Sequence, residues 1–388
     1  MQYNFSKTTN RFNSNSLKWD VKKEELPMWV ADMDFETAPE IIEAIKKKVD
    51  LGIFGYTIVP DDYYLAISKW WSIRHNFNIE KEWILFCTGV VPAISSIVRK
   101  MTNLGDNVLI QSPVYNIFYN SIINNSRKII SSDLSFDGEN YYIDFEDLEK
   151  KLSNPRTTLM ILCNPHNPIG KVWDKETLRR IGELCLKHNV LVLSDEIHCD
   201  LTYEDNIYTP FASISSEIAQ NSITCIAPTK TFNLAGLQTS SIIIPNEDIR
   251  KKVNRGINTD EVAEPNAFAI EATIAAFTKG EPWLEELIKY MSNNKKLVQQ
   301  FIAKELPQLK LINSQATYLL WIDCNDITSD SEELCRYIRE STGLYLSSGT
   351  AYGANGNGFI RMNIACSKER LKEGLFRLKK GIESYRVR

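Results

Sequence analysis

Short, unbroken apolar runs punctuate the middle of the chain: Ile84-Leu85-Phe86-Cys87, Val108-Leu109-Ile110, Thr158-Leu159-Met160-Ile161-Leu162-Cys163, Val190-Leu191-Val192-Leu193, Ile223-Thr224-Cys225-Ile226 and Ile242-Ile243-Ile244. Runs of this length fit strands covered on both faces, as in a parallel sheet. Segments with helical spacing lie between them, such as Lys175 to His188 and the stretch from Val90 through Ile97 and Val98. Strand and helix alternate from about 84 to 245. That order predicts an α/β fold with a doubly wound, mostly parallel sheet.

The pattern changes on either side. Residues 1 to about 27 are polar and aromatic-rich without a period, and read as an arm lying on another surface. Pro39 suits the first turn of a helix, and Asp61 to Phe77 carries a core-facing stripe (Tyr64, Ile67, Trp70, Trp71, Ile73). After Pro282 a long amphipathic helix leads into a strand at Tyr318–Asp323 and a helix from Glu332 to Ser341. A short strand at Leu344-Tyr345-Leu346, a strand Phe359–Ala365 holding a lone arginine, Arg361, and a last helix from about Lys368 to Ser384 complete a smaller α+β domain. The expected division is 1–48 as arm and part of the small domain, 49–280 as the large domain, and 281–388 as the C-terminal small domain.

Composition narrows the function classes. The 388 residues are 43% hydrophobic and 24% charged, with a formal net charge of −4. Nothing there favours nucleic acid or an anionic membrane as partner. No apolar run approaches the ~20 residues of a spanning helix, and the first residues lack the apolar core of a secretory signal. Eight cysteines are scattered without a C-x-x-C pair, which predicts reduced core thiols in a cytoplasmic protein. With four histidines and no H-E-x-x-H, no metal site is expected. Asp32 and Asp34 are read as a turn or helix N-cap in preference to a metal or acid/base pair.

Ligands of doubly wound sheets sit at the carboxyl ends of strands, and several chemically capable residues fall there. Thr88-Gly89-Val90-Val91 turns from strand to helix, leaving free N–H groups and a positive dipole end for a phosphate. Tyr115 follows the next strand and either lies on a planar ligand or packs in the core. Asn164-Pro165-His166-Asn167-Pro168-Ile169-Gly170 forces an irregular loop. Asp195 ends a buried strand, where a carboxylate needs a cation partner, and His198 follows. Lys230 lies in the turn just beyond Pro228. It is either a surface-loop lysine or a desolvated amine, less basic and able to form a Schiff base.

Together, Asn167-Pro168-x-Gly170, Asp195-x-x-His198, Thr229-Lys230 and the late Arg361 resemble the fold-type I pyridoxal phosphate enzymes, the aspartate aminotransferase superfamily. The likeness spans essentially the whole chain. Ala31-Asp32-Met33-Asp34-Phe35, Gly55-Tyr56-Thr57, Thr88-Gly89-Val90-Val91, Asp195 to Asp200 and Lys230 to Leu237 resemble its carbon–sulfur β-lyase branch of MalY- and PatB-type cystathionine β-lyases.

The resemblance implies a pyridoxal 5′-phosphate cofactor joined to Lys230, which then moves the Cα proton. It implies Asp195 at the pyridine nitrogen, Asn167 at the phenolate oxygen, and Tyr115 on the ring face. His198 would face that same oxygen or support Asp195. The N–H groups of Gly89, Val90 and Val91, with the Thr229 hydroxyl, would hold the phosphate, and Tyr56 would reach it from a second subunit of a homodimer with shared sites. Substrate binding would fall to Arg361 on the α-carboxylate, with Asn167, Tyr115 and Met33 beside it. Three positions depart from the wider pattern. Gln238 replaces a phosphate-gripping arginine, Ala227 a serine, and Asn116 a second tyrosine. The implied activity is β-elimination of thiol from S-substituted L-cysteines. The alternatives are amino transfer to a 2-keto acid, or a regulatory binding role beside the lyase activity.

Overall fold

The computed structural model describes residues 3–203 and 206–386. Its larger sheet runs, edge to edge, Ile84–Cys87, Ser240–Ile243, Ser222–Ile226, Leu191–Asp195, Thr157–Cys163, Asn107–Ile110 and Lys128–Ser131. The pairings from Ser222–Ile226 through to Lys128–Ser131 are parallel. Ser240–Ile243 runs antiparallel to both of its neighbours, so the sheet is mixed, with one reversed strand. Strands in its middle are buried at every position but Thr158, whereas no residue of the edge strand Lys128–Ser131 is fully buried. This explains why the central strands read as continuous apolar runs and Lys128–Ser131 does not.

A second sheet, wholly antiparallel, orders Lys310–Leu311, Leu319–Asp323, Phe359–Asn363 and Ser347–Ser348. The helix Glu281–Glu305 precedes it and Lys368–Arg386 follows. Leu344–Tyr345 stands apart from this sheet and pairs in parallel with Leu26–Pro27. No described helix is long and apolar enough to cross a membrane.

Two local expectations change. Among the described residues Asp32 and Asp34 cap no helix: the helix Pro39–Leu51 begins behind Ala38, which makes no side-chain cap. Both acids instead take ion pairs from Arg11 and Lys18, and Asp34 a further one from Arg370. These cations draw the early segment inward, and Tyr3, Phe5 and Trp19 are buried against the chain's own core. Lys230, expected in a turn, sits in a single helical turn, Pro228–Thr231. Pro228 occupies its first position, where a missing N–H costs nothing.

Candidate active site

Register explains how distant residues converge. Cys163, Asp195 and Cys225 stand level on neighbouring parallel strands. The segments leaving those strand ends carry Asn167, His198 and Lys230 to one side of the sheet. They meet around a cavity of about 290 Å³ whose walls include Gly89, Val90, Val91, Tyr115, Asn167, Asp195, His198, Thr229 and Lys230. Gly170 lets the Asn167 loop close: its φ of +66° is left-handed, and a Cβ there would collide with the Ser314 side chain.

Electrostatics in the cavity follow from burial. Asp195 is 4% exposed, and its Oδ1 accepts the Ile197 N–H at 3.2 Å. Among the described residues no salt bridge reaches it. Desolvation therefore pushes its carboxyl up to about 7, against the pull of the Ile197 N–H and of Lys230. Burial likewise lowers the Lys230 ammonium to about 8, with Arg361 adding to the decrease. Lys230 Nζ donates to the carbonyl of Ala31 at 2.6 Å, which also accepts from Tyr318 Oη at 3.1 Å. His198 is kept neutral, at about 3, by burial and by the Lys230 and Arg361 charges. Among the described residues its Nδ1 has no hydrogen-bond partner, and no bond joins its ring to Asp195. Tyr115 is raised to about 12 by burial and by Asp195.

One end of the cavity is the start of the helix Val90–Met101, with Gly89 at its N-cap. The first N–H groups of a helix have no acceptor within it, so Gly89, Val90 and Val91 offer donors to an anion. Thr229 and Gln238 stand in the same wall.

Three expected site residues lie elsewhere. Arg361 is 5% exposed behind the wall. It donates to Asn167 Oδ1 at 3.1 Å and to the Trp29 carbonyl at 2.9 Å, so Asn167 stands between it and the cavity. Met33 is 1% exposed in the core and outside the lining. Its side chain does not border the cavity of this chain. Tyr56 is fully exposed in an irregular segment and does not enter its own chain's cavity. Conversely, the Ala31 carbonyl is a polar group of the site that residue type could not flag, because every residue has one.

The family model for aminotransferase class I and II matches residues 24–378. The chain belongs to the aminotransferase class I and II family. Within it, the chain is 45% identical to cystathionine beta-lyase PatB of Bacillus subtilis (strain 168), over 97% of this chain and 99% of that protein. Protein MalY of Escherichia coli (strain K12) is 31% identical over 99% and 100% of the two chains. Among solved structures, cystalysin from Treponema denticola, which contains a pyridoxal 5′-phosphate cofactor, superposes with a TM-score of 0.96 at 35% identity, covering 99% of this chain and 100% of that one. At the anion end of the cavity the described lining offers hydroxyl, amide and backbone donors, and no guanidinium.

Proposed function

We propose that this protein is a pyridoxal 5′-phosphate-dependent carbon–sulfur β-lyase that releases thiol from S-substituted L-cysteines, leaving pyruvate and ammonia. The observation that carries this reading is the pairing of a depressed amine, Lys230, with an unpaired buried acid, Asp195, in one cavity that ends at a helix N-terminus. The set fits the cofactor group by group. Asp195 lacks a cation partner among the described residues, and a protonated pyridine nitrogen is one. The donors at Gly89, Val90 and Val91 suit its phosphate. Asn167 and neutral His198 suit its phenolate oxygen, and Tyr115 its ring face.

When bound, the cofactor supplies a ring that takes up the electron pair left as the Cα–H bond breaks. The chain does the rest. Lys230 removes the proton from Cα, its depressed basicity raising the share of unprotonated amine near neutral pH above that of an ordinary lysine. Asp195, as carboxylate, keeps a proton on the heterocyclic nitrogen. Arg361 turns from the Trp29 carbonyl and Asn167 to hold the α-carboxylate through a fork. The Cβ–S bond then breaks with its electrons on sulfur, and the remaining fragment hydrolyses to pyruvate and ammonia.

The protein acts as a homodimer with shared sites. Tyr56 lies among exposed Ile53, Phe54 and Ile58, an apolar loop suited to burial against a second copy, where Tyr56 reaches the partner's phosphate. Eight buried, unbridged cysteines fit a reducing cytoplasm.

The test is cystathionine or an S-alkyl cysteine supplied without a keto acid. Thiol and pyruvate appearing together support the lyase. Amino transfer that requires a keto acid, with no thiol released, contradicts it.

A further inference from the structure

The segment from Trp29 to Phe35, whose Ala31 lines the cavity, has little regular structure, yet its backbone is bonded almost residue by residue. The carbonyls of Trp29, Val30, Ala31, Asp32, Met33 and Phe35 each accept from a side chain. Two of those donors are the functional cations: Arg361 bonds Trp29, and Lys230 bonds Ala31. The others lie close to those cations along the chain. Asn363, two residues beyond Arg361, gives Nδ2 to Val30 at 2.6 Å and to Asp32 at 2.7 Å. Asn233, three residues beyond Lys230, gives Nδ2 to Met33 at 3.1 Å and Phe35 at 2.9 Å, and its Oδ1 accepts the Met33 N–H at 2.9 Å. Asn233 takes a left-handed φ of 57° to make these contacts, a conformation asparagine tolerates better than most side chains.

We propose that Asn233 is a positioning residue that locks this carbonyl strap to the Lys230 loop, so that the Ala31 carbonyl aims the Lys230 amine whenever that amine is not covalently engaged. The inference rests on the reading of Lys230 as the reacting amine. An amine has hydrogens to donate before and after it gains a proton, so one carbonyl fixes Nζ on both sides of the transfer. In that transfer the Cα–H bond breaks, an N–H bond forms on Nζ, and the electron pair stays with Cα. Misplacing a reacting group by about 1 Å costs on the order of 10²-fold in rate. A loosened strap therefore slows proton transfer without weakening the grip on substrate. Tyr318, which donates to the same carbonyl, supports the aim from the other side.

The variant of choice is Asn233→Gly, because glycine accepts the left-handed backbone and removes only the side-chain bonds. We expect kcat to fall about 10- to 100-fold while KM changes by less than about threefold. The isotope effect on kcat for substrate deuterated at Cα should rise as proton transfer becomes limiting, and amides of residues 29–35 in the full chain should exchange faster with deuterium. Asn233→Asp keeps the acceptor for the Met33 N–H and loses both donors, so its kcat should fall between the two. A merely structural role would lower stability while leaving the isotope effect unchanged. A glycine variant with kcat within twofold of the parent, or with a lost kcat and an unaltered isotope effect, overturns the proposal. If Asn233→Gly fails to fold, Asn233→Asp is measured by the same readouts, and an unchanged kcat or isotope effect there overturns the proposal equally. Lys230→Ala separates the two readings. Retained activity there overturns the assignment of Lys230 itself, whereas its loss beside an unaffected Asn233→Gly overturns only the strap.

Discussion

Two buried acids in this molecule face opposite fates. Asp34 is 3% exposed and Asp195 4%, so both carry a desolvation cost. Around Asp34 that cost is met. Lys18 lies 3.2 Å away, Arg11 2.8 Å and Arg370 3.0 Å, and Trp19 Nε1 donates at 2.9 Å. Burial alone would raise this carboxyl, but Lys18, Arg370 and the hydrogen bonds of Trp19 and Arg11 bring it below the usual range. Around Asp195 the chain provides one backbone N–H and a lysine too distant to bond, and the carboxyl rises to about 7. The arm's acid is saturated by its own chain; the cavity's acid is left in need. On the proposed reading, the difference separates an acid that holds the fold from one reserved for a ligand.

The largest expected effect tests the needy side. Lys230→Ala should lower kcat by at least about 10³-fold, in the range lost with a general base, and shift the melting temperature little, since it removes a buried cation held by a carbonyl and by no salt bridge among the described residues. Asp195→Asn comes next and should cost about 10²–10³-fold in kcat, the scale of a lost electrostatic stabiliser. Thermal unfolding of the cofactor-free variant should show unchanged or higher stability. Asp34→Asn should do the reverse to the fold, costing about 3–5 kcal/mol because Lys18, Arg11 and Arg370 lose their shared counter-charge. Denaturant titration measures it. Equal stability losses in the two asparagine variants would erase the contrast.

How far the contrast is legible in the sequence differs between the two acids. The cavity's acid is plain there: Asp195 closes an apolar strand, and Asn167 and Lys230 follow neighbouring strands, so sheet topology alone brings them together. Asp34 is not. Its cations come from positions 11, 18 and 370, and no local pattern links those numbers, which is why a helix cap is the natural expectation. The same blindness hides the Ala31 carbonyl. Arg361 is visible as a lone charge in an apolar strand, but its setback behind Asn167 depends on packing between the two sheets.

The pH dependence sharpens the comparison further. A folded-state carboxyl raised to about 7 holds its proton where the unfolded chain, near 4, has released it. The native state then binds more protons, so this group's contribution to stability falls as pH rises from about 4 to 7. Asp34, depressed when folded, contributes stability above about pH 4 that is lost as pH falls through its lower native value. Cofactor-free Asp195→Asn should therefore lack the part of the decline that parent protein shows between those limits, as read by denaturant midpoints. An identical decline in both proteins would remove Asp195 from the account.

The smallest effect concerns the proposed homodimer. Tyr56→Phe should loosen the cofactor about tenfold, the worth of one hydrogen bond to a charged group, as read by cofactor dissociation. A monomer in solution, or unchanged dissociation, would contradict shared sites.

The central claim is that one particular amine carries the cofactor opposite Asp195, and reductive trapping examines it most directly. Borohydride treatment of the cofactor-loaded protein, followed by peptide mass spectrometry, should bleach the visible band and leave a phosphopyridoxyl mass on the peptide containing Lys230. The mass on another lysine, or on none, would contradict it.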